Sequence, residues 1–228
     1  MIRKKSENRK LRIILTEDGS HTIFYPEIND HYHSIHGAFS ESLHVFIRSG
    51  FSYHPSADVS ILEVGFGTGL NVLLTLKQAL EEKRQVIYHA IDKFVLPADI
   101  TDSLNYNQFL KTINPGLFNA IHRLSWDTDH ELSGFFLLRK ILADINKLEP
   151  TIGYDIVYFD AFGPDKQPEM WTEDIFRKIY TAMNPGGLLV TYSSKGDVKR
   201  RFQKCGFIVE KIPGPPGKRE MLRCIRQT

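Results

Sequence analysis

The chain has 228 residues, is 42% apolar and 25% charged, and carries a formal net charge of +2. This composition is that of a globular protein long enough for one α/β domain with an appendage, and no apolar run approaches the roughly 18 residues that span a membrane. The two cysteines, Cys205 and Cys224, have no metal-ligand spacing and are too few for a disulfide framework. Because the basic, polar N-terminus also lacks the apolar core of a signal peptide, we expect a soluble, cytoplasmic protein.

Basic residues concentrate at the two ends of the chain. Residues 1–12 have a net charge of +5 and residues 195–226 one of +7, which leaves a net charge of −10 for the residues between them. Lys and Arg supply most of the sequence-independent affinity of proteins for phosphate backbones, so the two ends predict a surface that binds a polyanion. A solvated helix and a frayed tail would account for the same charges.

Residues 1–57 do not alternate strands and helices as the rest of the chain does, and we predict an N-terminal extension that packs on the core. A turn signal at residues 16–20 separates two β-prone runs, Leu11–Leu15 and His21–Tyr25, and predicts a hairpin. A helical pattern over residues 39–49 follows and ends at the next residue, a glycine.

Three histidines, His31, His33 and His36, lie between the predicted hairpin and the predicted helix. Their offsets of two and five do not match the spacing of metal ligands, and no cysteine or clear carboxylate partner accompanies them. We therefore predict no metal site and assign these side chains to the lining of a pocket or to the surface.

The stretch from Ile61 to Asn71, Ile-Leu-Glu-Val-Gly-Phe-Gly-Thr-Gly-Leu-Asn, organises the rest of the chain. An apolar run leads into three glycines at alternate positions, and a helical pattern over residues 72–80 follows, which predicts a buried strand, a tight turn and a helix. Glycines let the backbone approach a ligand closely, and the free N–H groups at a helix start favour a negative charge. The dinucleotide fingerprint requires a small residue where this chain has Leu70, so the spacing favours S-adenosylmethionine, although a glycine-rich turn without a ligand has the same pattern.

Two further apolar runs end near acidic residues that could hold an adenosine. The second strand, Gln85–Ile91, ends at Asp92, 23 positions after the last glycine of the turn, where a carboxylate can accept two hydrogen bonds from ribose hydroxyls. The third strand, Phe135–Leu142, precedes Asp144, which could accept a hydrogen bond from an adenine amino group. Helix capping is the alternative role for either acid. Residues 93–136 permit a helix followed by a strand or hairpin.

Asp160 and Phe162 directly follow the fourth predicted strand, Tyr154–Phe159. Binding and catalytic groups of open α/β sheets collect beyond the carboxyl ends of the strands, so we expect both side chains to face the cleft. Thr172 is predicted to cap a helix that extends to Met183, where an Asn-Pro-Gly-Gly sequence stops it.

The chain closes with a predicted fifth strand at residues 188–192, a basic helix at 197–205, and two strands, 207–212 and 221–225, joined by a turn. An antiparallel hairpin at one edge of a mostly parallel, doubly wound α/β sheet is the layout of class I, Rossmann-like methyltransferases that use S-adenosylmethionine. We predict one such domain over residues 58–228.

Several short blocks carry a resemblance to a known family. Besides the glycine stretch they are Asp18-Gly19-Ser20, Tyr32-His33-Ser34 with Gly37, Glu41-Ser42, Asp160-Ala161-Phe162-Gly163-Pro164, Pro168-Glu169-Met170-Trp171, Pro185-Gly186-Gly187 and Gly217-Lys218-Arg219-Glu220-Met221. On these blocks the chain resembles, over nearly its whole length, the methyltransferase family that completes 5-methylaminomethyl-2-thiouridine at the tRNA wobble position. That family comprises the methyltransferase half of the bifunctional protein MnmC and its stand-alone form MnmD. Because the chain has no room for the flavin-dependent oxidase domain, the resemblance implies the stand-alone form and no flavin.

The resemblance implies S-adenosylmethionine as the cofactor and the tRNA anticodon arm as the partner, with a monomer favoured. The residues implied in cofactor binding are Glu63, Gly65, Phe66, Gly67, Thr68, Gly69, Asp92, Lys93 and Asp144. The implied reaction transfers a methyl group to the exocyclic amine of 5-aminomethyl-(2-thio)uridine and gives 5-methylaminomethyl-(2-thio)uridine.

Asp160 is the candidate catalytic residue, because a carboxylate can orient the amine and stabilise the positive charge that grows on nitrogen. At a reference pKa of about 3.9 it would be a weak base, so we expect the proton to pass to solvent. The candidate substrate-binding residues are aromatic side chains for the flipped base and basic ones for the phosphates: Tyr32, Phe162, Lys195, Lys199, Arg200, Arg201, Lys218 and Arg219. Two alternatives remain, a small-molecule amine N-methyltransferase of the same fold and a non-catalytic nucleotide-binding or RNA-binding module.

Overall fold

The N-terminal part of the chain forms a small antiparallel sheet. The computed structural model describes residues 11–110, 114, 116–147, 149 and 152–227. The small sheet consists of β1 (Arg12–Leu15), β2 (His21–Tyr25) and β3 (Asp30–His31). The β1–β2 pair confirms the predicted hairpin. The basic residues 1–10, to which we assigned polyanion binding, lie outside the described residues.

The turn between β1 and β2 is held by Asp18. Its Oδ1 accepts a hydrogen bond of 3.0 Å from the Ser20 N–H, and its Oδ2 accepts one of 2.9 Å from the Ser40 N–H in the following helix. Burial opposes the charged form of Asp18, but the hydrogen bonds from Ser20 and Ser40 outweigh it and lower the pKa to about 2. The charged carboxylate therefore ties the hairpin to the first helix.

This helix, α1 (Ala38–Ser42), continues directly into a π-helical segment, Leu43–Phe51. The predicted helix is confirmed, but its predicted end at Gly50 is wrong. A Cβ at Gly50 would lie 3.0 Å from Cγ2 of Val190 and 3.3 Å from the ring of Tyr158. Glycine at this position allows the helix to pack closely on the sheet instead of ending it.

The remaining strands form one eight-stranded sheet. They are β4 (Asp58–Val64), β5 (Gln85–Asp92), β6 (Asp129–Ser133), β7 (Phe136–Leu142), β8 (Tyr154–Phe159), β9 (Met183–Thr191), β10 (Phe207–Pro213) and β11 (Glu220–Arg226). Their spatial order is β10-β11-β9-β8-β4-β5-β7-β6. The five strands from β9 to β7 are parallel, β11 is antiparallel to β9 and β10, and β6 is antiparallel to β7. The sheet confirms the predicted parallel core and C-terminal hairpin.

Helices cover both faces of this sheet. They are α2 (Leu70–Glu82), α3 (Ala98–Thr101), α4 (Leu117–Arg123), α5 (Glu173–Ala182) and α6 (Gly196–Lys204), with 3₁₀ turns at Tyr106–Phe109, Ile145–Lys147 and Pro168–Trp171. Alternate residues of the strands face two separate hydrophobic cores. Ile61 and Ile156 belong to the core under α2. Leu62 and Val157 belong to the core under α5 and α6. Thr172 caps α5 as predicted. Within the described ranges, no helix is long and apolar enough to cross a lipid bilayer.

Two parts of the sheet differ from the sequence prediction. The strand predicted at residues 188–192 begins earlier, because Met183 already pairs with Tyr154 of β8 before the register shifts. Residues 93–136 contain α3, α4 and the edge strand β6. The residues of β6 are exposed or half-buried, so the strand has no buried apolar face that periodicity could reveal.

The order of the strands fixes the place of a binding cleft. β5 and β7 lie on one side of β4, and β8 and β9 lie on the other side. Ligands of open α/β sheets bind in the crevice outside the carboxyl ends of the strands, at this reversal of direction. The loops after β4, β5, β7 and β8 meet there, and the N-terminal segment forms the opposite wall.

Candidate active site

The crevice is a cleft of about 780 Å³ into which the loop after β4 projects. This glycine loop contains Gly65 and Gly67, whose φ angles are +98° and +45°. A Cβ on Gly65 would lie 2.5 Å from the carbonyl oxygen of Asp160, and a Cβ on Gly67 would lie 3.1 Å from the ring of Tyr32. Both positions therefore require glycine, because neighbouring walls approach the loop too closely for a side chain.

Thr68 and Gly69 lead from the glycine loop into α2. Gly69 has a φ of +71° at the start of the helix and does not line the cleft. The Thr68 hydroxyl lies 2.7 Å from Nε2 of His33, and the Thr68 carbonyl oxygen lies 2.9 Å from Nε2 of His122. Burial lowers the pKa of each histidine to about 4, so both rings are neutral near pH 7. Two neutral imidazoles thus brace the loop.

Phe66 lines the cleft and packs against a second layer behind it. Its ring centroid lies 5.3 Å from that of His122 and 5.6 Å from that of Trp126. The buried Lys140 ammonium lies 4.9 Å from the Trp126 centroid and donates to the Ile121 carbonyl at 2.9 Å. Burial lowers the pKa of Lys140 to about 8. These contacts fix the Phe66 ring to the end of α4.

Asp92 ends β5 and directs its carboxyl group at the glycine loop. Its Oδ2 accepts the N–H of Gly67 and its Oδ1 accepts the N–H of Phe94, each at 2.9 Å. Burial raises the pKa of Asp92, although these backbone hydrogen bonds favour the charged form. Each carboxylate oxygen has more than one acceptor site, so a ribose diol can still donate to it.

Lys93 and Asp144 form an ion pair at the rim of the cleft, with 3.2 Å between Nζ and Oδ2. The other carboxylate oxygen of Asp144 accepts the N–H of Asn146 at 2.9 Å. The hydrogen bond from Asn146 and the partner Lys93 hold the pKa of Asp144 below its usual value. Asp144 accepts the N–H of Asn146 in the 3₁₀ turn, as a cap does, and also lines the cleft, so its adenine contact stays a prediction.

Asp160 follows β8, and its carboxyl group lies in the cleft beside the glycine loop. Its Oδ2 accepts a hydrogen bond of 2.8 Å from Nδ2 of Asn71, and the same amide nitrogen donates to Oε1 of Glu63 at 2.9 Å. Burial, followed by the charge of Glu41, raises the pKa of Asp160 to about 7, although Asn71 and Lys218 oppose the shift. The reference pKa on which we predicted a weak base is therefore wrong for this carboxyl group.

Glu63 lies beneath the glycine loop and does not line the cleft. Burial raises its pKa well above the usual value, the Asn71 hydrogen bond opposes this, and the charge of Asp160 adds to it. We predicted a direct cofactor contact for Glu63. The structure places Asn71 between Glu63 and the cleft, so any influence of Glu63 on a ligand passes through the Asn71 amide.

An aromatic wall stands beside Asp160. The ring centroids of Tyr32 and Phe162 are 4.9 Å apart in an edge-to-face arrangement, and Tyr25 lies 6.1 Å from Phe162. The indole N–H of Trp171 donates to the Phe162 carbonyl at 2.8 Å and fixes this part of the loop. The predicted residues Tyr32 and Phe162 therefore lie together, in an arrangement that suits contact with a planar base.

Lys218 is one of the six basic residues to which we assigned phosphate contacts, and the structure places it inside the cleft. Its Nζ donates to Oε1 of Glu41 at 2.9 Å and lies 3.8 Å from the ring centroid of Tyr192. A surface role in phosphate binding does not fit this position, because the ammonium already has an anionic and an aromatic partner.

The other five basic residues lie outside the lining of the cleft: Lys195, Lys199, Arg200, Arg201 and Arg219. Arg201 donates to the Trp171 carbonyl at 2.6 Å, and Lys195 pairs with Asp165. These two side chains thus have structural partners. Arg200 and Arg219 are exposed and Lys199 is half-buried, so a polyanion can reach them.

The three N-terminal histidines have different surroundings. His31 and His33 line the cleft, whereas the exposed His36 lies 2.9 Å from a carboxylate oxygen of Glu17. In the part of the chain that the structure describes, no group of three or more His, Cys, Asp or Glu is arranged to hold a metal ion.

Sequence reasoning assigned no role to Asn71, Glu41 or Tyr192, although all three line the cleft. Asn71 is a polar residue within the apolar first turn of α2, and Glu41 is an acid on the buried side of α1. Tyr192 follows β9, where the same rule that pointed to Asp160 applies. The local position of each residue could have marked it, but the residues that Asn71 and Glu41 contact in the cleft are far away in the sequence.

The cleft residues fit S-adenosylmethionine. The glycine loop leaves open the space that a Cβ would fill, and Asp92 offers acceptors for ribose hydroxyls. Asp144 and Phe94, whose ring is 64% exposed, lie farther along the cleft and offer a polar and an apolar contact for adenine. The cleft therefore offers space for this cofactor, acceptors for its ribose and contacts for its adenine.

Comparisons with known proteins identify a family and several similar chains. Residues 107–227 match the model of a family described as S-adenosyl-L-methionine-dependent methyltransferase. The chain is 30% identical, over 91% of its length, to the tRNA 5-methylaminomethyl-2-thiouridine biosynthesis bifunctional protein MnmC of Cupriavidus metallidurans, of which it covers 33%. It is 33% identical, over 86% of its length, to the protein of the same name from Aeromonas salmonicida, of which it covers 32%. The chain thus spans about one third of the length of the curated relatives it matches.

The solved structure of MnmC2 from Aquifex aeolicus superposes on this chain with a TM-score of 0.76 and is 29% identical to it in sequence. The match covers 96% of this chain and 71% of the MnmC2 chain. The comparisons confirm the class I methyltransferase fold, the resemblance to MnmC and S-adenosylmethionine as the cofactor. Since the family match extends over more than half of its residues, the chain belongs to the family of S-adenosyl-L-methionine-dependent methyltransferases.

Proposed function

We propose that this methyltransferase acts on the exocyclic amine of 5-aminomethyl-(2-thio)uridine at the wobble position of tRNA. The names of its relatives refer to biosynthesis of 5-methylaminomethyl-2-thiouridine in tRNA, which is the product of such a transfer. The observation that carries the proposal is the Asp160 carboxyl group, which accepts a hydrogen bond from Asn71 in the cleft that the glycine loop, Tyr32 and Phe162 also line. An acceptor for an amine beside a surface for a planar ring matches this substrate.

Asp160 is proposed to receive the substrate amine. When bound, the cofactor would supply an activated methyl carbon for attack by the nitrogen lone pair, and sulfur would keep the electron pair of the broken bond. Alkylammonium groups titrate near 10, about 10.4 for free lysine, so the amine must lose a proton before it can attack. A carboxyl group with a pKa of about 7 is better matched to accept that proton than an ordinary aspartate.

Asn71 orients the Asp160 carboxyl group. The Asn71 amide donates to Oδ2, so among the described contacts Oδ1 is the oxygen that faces a substrate. The base would leave the anticodon stack and lie against Tyr32 and Phe162. Alignment of amine and methyl group would then supply most of the rate enhancement, since the methyl donor is already activated.

The exposed basic residues outside the cleft are proposed to bind the phosphates of the anticodon arm. Arg200 and Arg219 are exposed, and Lys199 lies one position before Arg200 on α6. Such contacts position a nucleic acid without reading its sequence. A tRNA substrate would also place the protein in the cytoplasm.

The comparisons do not favour the two alternative functions, a small-amine methyltransferase and a non-catalytic binding module. The test is incubation of the protein with labelled S-adenosylmethionine and unfractionated tRNA from cells that lack the final methylation step, followed by nucleoside analysis. We expect label in 5-methylaminomethyl-(2-thio)uridine, and Asp160→Ala should lose turnover while it keeps cofactor affinity within a few fold. Label on free polyamines but absent from tRNA nucleosides would overturn the proposal.

A further inference from the structure

The position of Lys218 is not explained by phosphate binding. Its ammonium donates to Oε1 of Glu41 at 2.9 Å and lies 3.8 Å from the ring centroid of Tyr192. Glu41 is 6% exposed, and its Oε2 accepts the N–H of Ser34 at 2.7 Å. The Tyr192 hydroxyl donates to the Ala161 carbonyl at 2.8 Å. The ammonium is therefore held between two groups that are themselves fixed.

The loop between β10 and β11, which carries Lys218, is also fixed. A Cβ on the preceding residue, Gly217, would lie 2.1 Å from Cδ2 of His36, so the loop backbone packs directly on the N-terminal segment. Nε2 of His44 lies 2.8 Å from the carbonyl oxygen of Pro213 at the end of β10. Lys218 cannot turn outward to a phosphate without losing its contacts inside the cleft.

Glu41, Asp160 and Lys218 line the same cleft, and Glu41 pairs directly with the ammonium. The charge of Glu41 raises the pKa of Asp160, and the charge of Lys218 lowers it. The other titratable groups near these side chains come from the surrounding elements: Asp30 on β3, His33, Glu63 on β4, Tyr88 on β5, Tyr106 in a 3₁₀ turn and Tyr192 after β9. Without Lys218, the two carboxylates would favour a protonated amine between them, because opposite charges stabilise the charged form of a titratable group.

We propose that Lys218 is a positioning residue that, paired with Glu41, sets the charge of the amine pocket so that the substrate amine binds next to Asp160 in its neutral, reactive form. This inference rests on the proposed function, since it requires an amine as acceptor. The step that Lys218 governs is loss of a proton from the substrate ammonium to Asp160 or to water before nitrogen attacks. No further reactant is needed.

The test compares Lys218→Met with Lys218→Arg and with Lys211→Met as the matched control. Lys211 belongs to the same hairpin and pairs with Glu220 at 2.7 Å, but it does not line the cleft. Single-turnover rates are measured against pH with saturating cofactor and tRNA that carries 5-aminomethyl groups. For Lys218→Met we expect the acid limb of the profile to move up by about one pH unit, and the rate at pH 7 to fall about tenfold. Lys218→Arg and Lys211→Met should keep the wild-type profile.

Glu41→Gln is a second variant, expected to shift the acid limb of the pH profile in the opposite direction from Lys218→Met. It keeps an acceptor for the Ser34 N–H but removes the anion, so the acid limb should move to lower pH. Opposite shifts cannot arise from partial unfolding, which thermal melts of each variant will monitor. If Lys218→Met instead raises KM for tRNA and weakens its salt dependence with an unchanged pH profile, Lys218 binds phosphate and the inference is wrong. A wild-type protein that methylates no tRNA amine would overturn the proposed function and this inference with it.

Discussion

Asp160 and Glu63 are two carboxyl groups joined by the amide of Asn71, which donates to both. Burial raises the pKa of each, and the charge of Asp160 further opposes ionisation of Glu63. Glu63 is fully buried and has no exposure to the cleft, so burial disfavours its charged form. The amide thus connects a buried acid to the carboxyl group that we propose receives the substrate amine.

Asp160→Asn is expected to stabilise the ligand-free protein above pH 7 and to leave it nearly unchanged below pH 4. The pKa of Asp160 is raised from 3.8 to about 7 in the folded state, so the folded protein binds more protons than the unfolded chain in this interval. Wild-type stability must then fall as pH rises through it, by at most about 4 kcal/mol at about 1.36 kcal/mol per pKa unit. Urea unfolding without cofactor at both ends of the interval measures the difference. A difference that does not change with pH would contradict the raised pKa.

At the scale of elements, the glycine loop packs closely against the backbone that follows β8. Gly65 has a left-handed φ of +98°, and the Asp160 carbonyl oxygen would lie 2.5 Å from a Cβ there. Gly65→Ala is expected to cost about 2 kcal/mol or more, since left-handed backbone alone costs about 1–2 kcal/mol for other residues, and to weaken cofactor binding.

Gly134→Ala is the matched control for the loop substitution, because no described atom lies within 4 Å of a Cβ built on Gly134 in the β6–β7 turn. Thermal unfolding and calorimetric titration with S-adenosylmethionine measure both effects. Wild-type stability and affinity in Gly65→Ala would mean that the loop can move away from β8.

The basic residues of helix α6 differ in their contacts with the rest of the protein. Arg201 donates to the Trp171 carbonyl at 2.6 Å, so its replacement would disturb the protein itself. We therefore expect Lys199→Glu/Arg200→Glu to preserve the fold and weaken tRNA binding, with the slope of log affinity against log salt reduced by about one for each lost phosphate contact. Filter binding over a range of salt concentrations measures the slope.

The same double reversal at Lys77 and Lys83, on α2 and its C-terminal cap, controls for the change in net charge. Equal effects at the two helices would show that only overall charge matters and would remove α6 from the proposed tRNA surface.

At the scale of the molecule, local sequence patterns predicted most of the fold, and long-range contacts set most of the site. The strand-turn-helix of the glycine stretch and the closing hairpin depend on neighbouring residues, so periodicity and turn residues revealed them. Lys218 and Glu41 are 177 positions apart, and Asn71 and Asp160 are 89 apart. No local pattern indicates such pairs. The sequence therefore predicted a phosphate contact for Lys218 and an ordinary pKa for Asp160.

Stability of the whole molecule depends on pH through two opposing sets of groups. The carboxyl groups of Asp92, Glu63 and Asp160 have raised pKa values, so the folded state holds their protons more tightly than the unfolded chain does. His33 and His122 have lowered pKa values, so the folded state excludes protons that the unfolded chain would bind. The two sets change stability in opposite directions with pH, and single substitutions are needed to separate them.

His33→Gln isolates one member of the second set. Burial lowers the pKa of His33 from 6.5 to about 4, so wild type loses stability from this ring as pH falls through that interval, because the unfolded chain takes up a proton that the folded protein excludes. Glutamine does not titrate and can still reach the Thr68 hydroxyl, which lies 2.7 Å from Nε2 of the histidine. The destabilisation caused by the substitution should therefore be largest at pH 7 and shrink by up to about 3 kcal/mol at pH 4. Urea unfolding of both proteins at the two pH values measures this change, and an equal destabilisation at both would mean that the ring of His33 is not kept neutral beside the glycine loop.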